Sequence, residues 1–388
     1  MEEERLKVLF VSSWYPSRVN PLLGIFVQRH AVAVAHLCDV SAIYVCADEQ
    51  ENIEEGVEDG VYTIRVYYKK TESRIPVYSQ YRKWRQYISA WKKALSIYEA
   101  KKGRPDIINS NVVFPVTAIA IKLKAKWKMP YVITEHWTGY FPEDGRYKGA
   151  RMQKIWKSAV SKASAVITVS AALKNQMIKV GLNNTYYVIP NIVDIETFNI
   201  STKPAREQIR FIHTSSPDND RKNIGGIIRA FKIFTEMQSN ASLTLVVGNG
   251  PEVEKLKQLA TSLGLKDSVQ FVDWKPKNEL AELMHNSTAF ILFSSIETQG
   301  VVLLEAMCCG IPVISSRCGG PEEYINAKNG LLVDVGNEKQ LAEAMQQIVK
   351  NGTDYNAAEI RNSVINMVSE ESVATKFVQV YKKVLNLN

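Results

Sequence analysis

The stretch SSIETQGVVLLEAMCCGIPVISSRCGGPEEYI, Ser294 to Ile325, decides the fold. It leaves an apolar strand, Ala289 to Phe293, crosses a short polar loop and runs as a helix from about Gly300 to Cys308. Gly310 stops that helix, and Ile311 to Ser315 read as a second apolar strand. A strand, helix, strand unit of this kind belongs to a parallel sheet, whose ligands gather at the strand exits. Glu297 stands at the loop-to-helix junction. Glu305 follows eight residues later, a little over two helical turns on and nearly on the same face. The backbone N–H groups of Thr298, Gln299, Gly300, Val301 and Val302 surround the helix N-terminus, which offers roughly half a positive charge. A phosphate-bearing ligand is the natural occupant.

Two glutamates eight apart are weak evidence alone, since Glu135 and Glu143 share the spacing without the context. Here the context decides. Gly300 lets backbone approach a ligand, Ala306 keeps the helix slim, and Gly319-Gly320-Pro321 makes a second tight turn with Glu322 and Glu323 behind it. The pattern S-x-x-E-x-x-G-x-x-x-L-E-A-M-x-x-G-x-P-V-I-x-S-x-x-G-G-x-x-E resembles the donor-site signature of the retaining glycosyltransferases of family 4 (glycosyl transferases group 1). That resemblance implies the α/β GT-B fold: two Rossmann-like domains with parallel sheets facing across a cleft. The expected division is an acceptor-binding domain over 1–200, a nucleotide-sugar donor domain over 201–371, and a last helix, about 372–388, packing back on the first domain.

Composition agrees with a two-domain globular chain: 388 residues, 46% hydrophobic and 23% charged. A net charge of +8 and a pI near 9.0 point to an acidic partner, which composition leaves open among nucleic acid, anionic membrane and phosphorylated substrate. Five cysteines without C-x-x-C spacing suit a reducing cytoplasm. The chain opens on three glutamates and then a strand, unlike a signal peptide, and no apolar run reaches bilayer-spanning length.

In chain order, Leu6 to Val11 reads as a buried strand, and Gly24 opens the next helix as a candidate phosphate-facing position. Between Arg65 and Arg104 lie twelve Lys or Arg against Glu72 and Glu99. Tyr81, Trp84, Tyr87, Trp91 and Leu95 recur at helical spacing within it. This helix is expected either to pack its rings on the sheet or to lie in an anionic membrane interface. No nucleic-acid motif accompanies the charge. His136 falls at the end of the strand Tyr131 to Thr134, where an open sheet binds ligands.

The family resemblance implies further roles. His136 would lie near the transferred sugar, and Lys222 would meet the donor's pyrophosphate. The Arg usual in the family falls near Ser215 or Ser216 here, which leaves Arg221 as the candidate substitute. Gly248 in GNGP would line the donor cleft, and Trp274 would lie by the base beside Asp273, where the family usually has Gly. Val253 replaces the third glycine of a dinucleotide fingerprint. Asp218-Asn219-Asp220 spells D-x-D, a metal pattern of a different glycosyltransferase fold.

The implied reaction is metal-independent, cofactor-free transfer of a hexosyl group from a nucleotide diphosphate sugar to a glycan or lipid-linked acceptor. The catalytic candidates are Glu297, His136 and Lys222. Such an enzyme is expected in the cytoplasm, at the inner membrane face, making surface polysaccharide, lipopolysaccharide or lipid-linked glycan. A GT-B epimerase or phosphorylase, and a non-catalytic GT-B subunit, are the competing readings.

Overall fold

The computed structural model describes residues 5–69, 76–201 and 208–387, with side chains of 76–80 and Thr353 outside the description. The opening glutamates, Lys70, Glu72 and Arg74 therefore lie outside the described residues. Strands and helices alternate in both halves, as expected, except that three strands follow one another over 39–69.

The first sheet takes β1 (Lys7–Ser12), β2 (Asp39–Asp48), β3 (Asn52–Glu58), β4 (Val61–Lys69), β5 (Ile107–Asn111), β6 (Tyr131–Glu135), β7 (Ala165–Thr168) and β8 (Tyr186–Val188). Their order is β3-β4-β2-β1-β5-β6-β7-β8. The second sheet takes β9 (Ile209–Thr214), β10 (Ala241–Val246), β11 (Val269–Val272), β12 (Ala289–Leu292), β13 (Val313–Ser316) and β14 (Gly330–Val333), in the order β11-β10-β9-β12-β13-β14. All pairings are parallel except β3 with β4. The antiparallel edge strand β3 departs from the expected all-parallel sheet. Its sequence, NIEEGVE, is mostly exposed and carries too little apolar alternation to stand out.

Alternate residues of β1 show why both sheets need helices on two faces. Leu9 and Val11 join one core cluster, Val8 and Phe10 the other. The last helix, Glu370–Leu385, supplies Phe377 and Tyr381 to the cluster holding Val8 and Phe10, and the Tyr381 hydroxyl accepts from Asn109 Nδ2 at 2.6 Å. Burial of each ring contributes roughly 2 kcal/mol.

Chain order reverses twice, between β1 and β5 and between β9 and β12. Such reversals leave a crevice outside the carboxyl ends of the strands. The loops after β1 and β5 border the first crevice, and those after β9 and β12 the second.

The basic helix, Pro76–Lys102, packs against β2 and β4. Tyr87, Trp91 and Tyr98 are buried there, so the aromatic stripe belongs to the core from Tyr87 onward. Arg65 is also internal, held by Glu58 and the Pro16 carbonyl. Tyr81, Arg82, Lys83, Trp84 and Arg85 stay exposed. No described helix is long and apolar enough to cross a membrane.

Candidate active site

The second crevice gathers the expected donor residues from two loops. After β9, Asp218 caps the short helix Asn219–Lys222, and Asn223 turns left-handed at φ 48° to start the next helix, Ile224–Met237. The Arg221 carbonyl accepts from Ser295 N at 2.8 Å, fastening this loop to the one after β12. Lys222 Nζ thereby reaches Glu297 Oε1 at 2.5 Å, and Ser294 Oγ donates to the same oxygen at 2.7 Å. Glu297 is fixed by its backbone too, its N–H bonding the Cys318 carbonyl and its carbonyl accepting from Gly320 N. Gly320 has to be glycine, because a Cβ there would stand 2.3 Å from the Thr298 carbonyl oxygen.

Gly300 is left-handed at φ 73°, so the expected helix begins one residue later, Val301–Cys308, with no side-chain cap on its first N–H groups. Those amides, including Val301 and Val302, lie on the chain just after Glu297 and Thr298. The Gln299 side chain has a separate task. Its buried side-chain carbonyl accepts from Asn191 N at 2.8 Å and ties the helix start to the segment between the sheets.

Glu305 is buried, and Arg29 from the first domain approaches it at 3.9 Å. Burial pushes its carboxyl up to about 7 against the opposing pull of Arg29 and Lys277. Arg29 was not legible beforehand, since it sits in the amphipathic helix Ile25–Ala35 like any solvated cation. Arg221 folds back on Asp218, Nε to Oδ2 at 2.6 Å, so the D-x-D carboxylate at Asp218 serves as a cap and an ion-pair partner. Ser215 and Ser216, at the position of the family Arg, bond locally, Ser215 Oγ to the Ser216 carbonyl and to His213.

Trp274 is half exposed and lies directly over Gly248, where a Cβ would meet the indole nitrogen at 2.4 Å. Asp273 accepts from Asn249 Nδ2 at 2.6 Å. Gly24 is left-handed at φ 71°, and a Cβ on it would strike the Trp14 carbonyl at 2.4 Å. The demand for glycine there comes from the chain's own loop.

His136 directly follows β6, as expected, but is buried, its ring centre 4.3 Å from that of Phe26 and 5.6 Å from that of His30. Neither ring nitrogen has a hydrogen-bond partner among the described residues. Burial, with His30 nearby, holds its pKa well below the ordinary value, so the imidazole is neutral at pH 7.

The two domains touch beside this site. Glu323 of the second domain accepts from Ala171 N at 3.0 Å and Ala172 N at 2.6 Å, the first amides of the helix Ala171–Lys179 in the first domain. Glu323 closes the quoted donor-site pattern, but its target, the start of a helix more than 150 residues away, carries no sequence signal.

Comparisons with known proteins agree with this architecture. The model described as Glycosyltransferase Family 4 matches residues 26–197, and Glycosyl transferases group 1 matches residues 196–366. N-acetyl-alpha-D-glucosaminyl L-malate synthase of Bacillus anthracis is 34% identical over 168 residues, 42% of this chain and 43% of that protein. The putative teichuronic acid biosynthesis glycosyltransferase TuaC of Bacillus subtilis is 23% identical over 88% of both chains. The crystal structure of Anabaena HepE with UDP and glucose superposes with a TM-score of 0.72 over 97% of this chain and 99% of its own, at 18% identity. With both halves matched in turn and the two-sheet GT-B architecture shared, the chain belongs to the group 1, family 4 glycosyltransferases.

Proposed function

We propose that this protein transfers a hexosyl group from a nucleotide diphosphate sugar to an acceptor hydroxyl with retention at the anomeric carbon. The observation that carries the reading is the Lys222–Glu297 contact at 2.5 Å beside the uncapped helix start at Val301. Lys222 and the helix amides would receive the pyrophosphate, and Glu305 the ribose hydroxyls. Trp274, with Gly248 beneath it, would flank the base. Glu297 would hold the sugar, and neutral His136 would offer it a hydrogen bond.

In the transfer, the bond from the anomeric carbon to the phosphate oxygen breaks and one to the acceptor oxygen forms on the same face. The acceptor's proton passes to the departing phosphate. Lys222 and the amides stabilise the charge that develops there, so the reading requires no metal.

The test is a screen of UDP- and GDP-sugars for nucleotide diphosphate release with and without glycan acceptors, in excess EDTA, with the product's anomeric configuration read by NMR. Transfer with retention is expected. A free epimerised sugar nucleotide as the product would establish the epimerase reading, and nucleotide binding without turnover the non-catalytic one.

The relationship to TuaC favours surface polysaccharide, lipopolysaccharide or lipid-linked glycan as the acceptor class, with the enzyme at the cytoplasmic membrane face. The exposed cluster Tyr81 to Arg85 would supply the membrane contact, each cation adding about 1 kcal/mol on an anionic surface. Co-sedimentation with anionic vesicles should fall when Lys83, Arg85, Lys92 and Lys93 become Glu. Equal partitioning would remove the membrane contact.

A further inference from the structure

Glu305 differs from the other carboxylates of the cleft in what holds it. Glu297 accepts from Lys222 and Ser294, and buried Glu135 accepts from three backbone amides and the Tyr140 hydroxyl. Among the described residues no group donates a hydrogen bond to the Glu305 side chain, and the cation within ion-pair reach, Arg29, stops at 3.9 Å. A buried carboxylate short of donors is costly, so the position suits a ligand that brings its own.

Arg29 is delivered there by the crossover between the domains. Its Nη1 donates to the Ile192 carbonyl at 3.3 Å, and the next residue, His30, donates from Nε2 to the Pro190 carbonyl at 3.1 Å. Between those two carbonyls Asn191 N donates to Gln299, and Val193 N donates to the Val368 carbonyl at 3.1 Å. Residues 190–193 therefore hold the first domain's helix Ile25–Ala35 to the start of the second domain's helix Val301–Cys308.

The other charges around Glu305 are engaged elsewhere. Lys277, from the helix Lys277–His285, and Asp194, from the crossover, both act on Glu305 but pair with each other at 2.9 Å. Arg361 donates to the carbonyls of Ile195, Phe198 and Cys308. Cys308 and Cys309, on the helix of Glu305 itself, are kept as neutral thiols by burial. Arg29 is the countercharge that remains, and a cation so near lowers a carboxyl by roughly one to three pH units. A cavity of about 550 Å³ lined by Gln28, Arg29, Asp194 and Lys277 opens beside the pair, and the Arg29 side chain keeps 21% of its exposure, so the site tolerates a shorter side chain.

We infer that Arg29 is a positioning residue for the donor, supplying across the domain boundary the countercharge of the ribose-binding Glu305, so that nucleotide affinity depends on a side chain of the first domain. The inference rests on the donor reading above, which gives the ribose to Glu305. Two ribose hydroxyls need two acceptor oxygens, which a carboxylate has and a protonated carboxyl lacks.

The test measures UDP and GDP affinity by calorimetry from about pH 6 to 9 in wild type, Arg29→Gln, Arg29→Lys and Glu305→Gln. Arg29→Gln keeps a donor for the Ile192 carbonyl and removes the charge; Arg29→Met serves in its place if that variant folds poorly. Wild-type affinity should rise with pH through about 7 and then level. In Arg29→Gln the rise should move up by about one pH unit or more, leaving affinity at least about fivefold weaker at pH 7 and the gap closing toward pH 9. Arg29→Lys should follow the wild type, and in the Glu305→Gln background Arg29→Gln should not alter the pH profile. The phosphates' own titration is common to all the proteins and cancels in the ratios. Micromolar binding of neither nucleotide to folded wild type at any pH would remove the donor reading and the inference with it. Profiles that coincide in wild type and the uncharged variant, or a loss by the same factor at every pH, would overturn the inference and leave the donor reading standing.

Discussion

The two walls of the cleft are built from opposite materials. The second domain presents glycine turns, an uncapped helix start, the Lys222–Glu297 pair and buried Glu305. The first presents rings, Trp14, Phe114, Trp137 and Trp156, over one buried carboxylate. Charge and backbone dipoles suit a leaving group that gains negative charge, whereas the rings pack on one another over the buried Glu135. Each wall should therefore respond to its own kind of perturbation.

Lys222→Ala should have the largest effect. Removing a preorganised donor to developing charge lowers turnover by about 100- to 1,000-fold. Steady-state rates with the active nucleotide sugar check this, and a loss below tenfold would move the pyrophosphate away from Lys222.

Glu305 separates the walls through pH. Its carboxyl is raised from 4.5 to about 7 by burial, so the fold binds its proton more tightly than the unfolded chain does. The contribution is fully present below pH 4.5 and lost as pH rises through 7, a change of up to roughly 3 kcal/mol. Buried His30 and His213, both lowered to about 4, act in the opposite sense across much of that window. The difference between wild type and Glu305→Gln isolates the glutamate. Denaturation curves from pH 4.5 to 8 should show wild type losing stability relative to the variant as pH rises. Parallel curves would place an ionised carboxylate in the fold throughout.

The smallest effect belongs to the contact that joins the walls. Glu323→Ala removes an exposed carboxylate from two helix-start amides and should reduce stability by about 0.5 to 1 kcal/mol. The same variant should enlarge the radius of gyration in small-angle scattering. An unchanged radius would show that the domains are held by other contacts.

The walls also differ in how far they could be read beforehand. The donor side is one continuous strand, loop, helix, strand segment, and its glycines sit where backbone crowding forces them, as Gly320 against Thr298 shows. Local geometry of that kind leaves a spacing in the chain. The aromatic side is assembled from the ends of β1, β5 and β6 and from the helix Ala150–Lys162, so no spacing connects Trp14 to Trp156. Arg29 and the partner of Glu323 were hidden for the same reason, each contact reaching into the other domain. Helical periodicity found the ring stripe of Pro76–Lys102, but core and membrane faces share that period, and only packing assigned Tyr87, Trp91 and Tyr98 to the core. Gln299 was expected through its backbone amide, and the bond of its side chain to Asn191 N had no signal in the spacing.

Calorimetry of UDP and GDP binding to the wild type and to Glu305→Ala puts the donor wall itself to the test. Micromolar binding of one nucleotide is expected, weakened in the variant by about 1.5 to 3 kcal/mol, the range for a hydrogen bond to a charged group. Micromolar binding of neither nucleotide to folded wild-type protein, or equal affinity in the variant, would contradict the assignment of Lys222, the helix start and Glu305 to a nucleotide diphosphate.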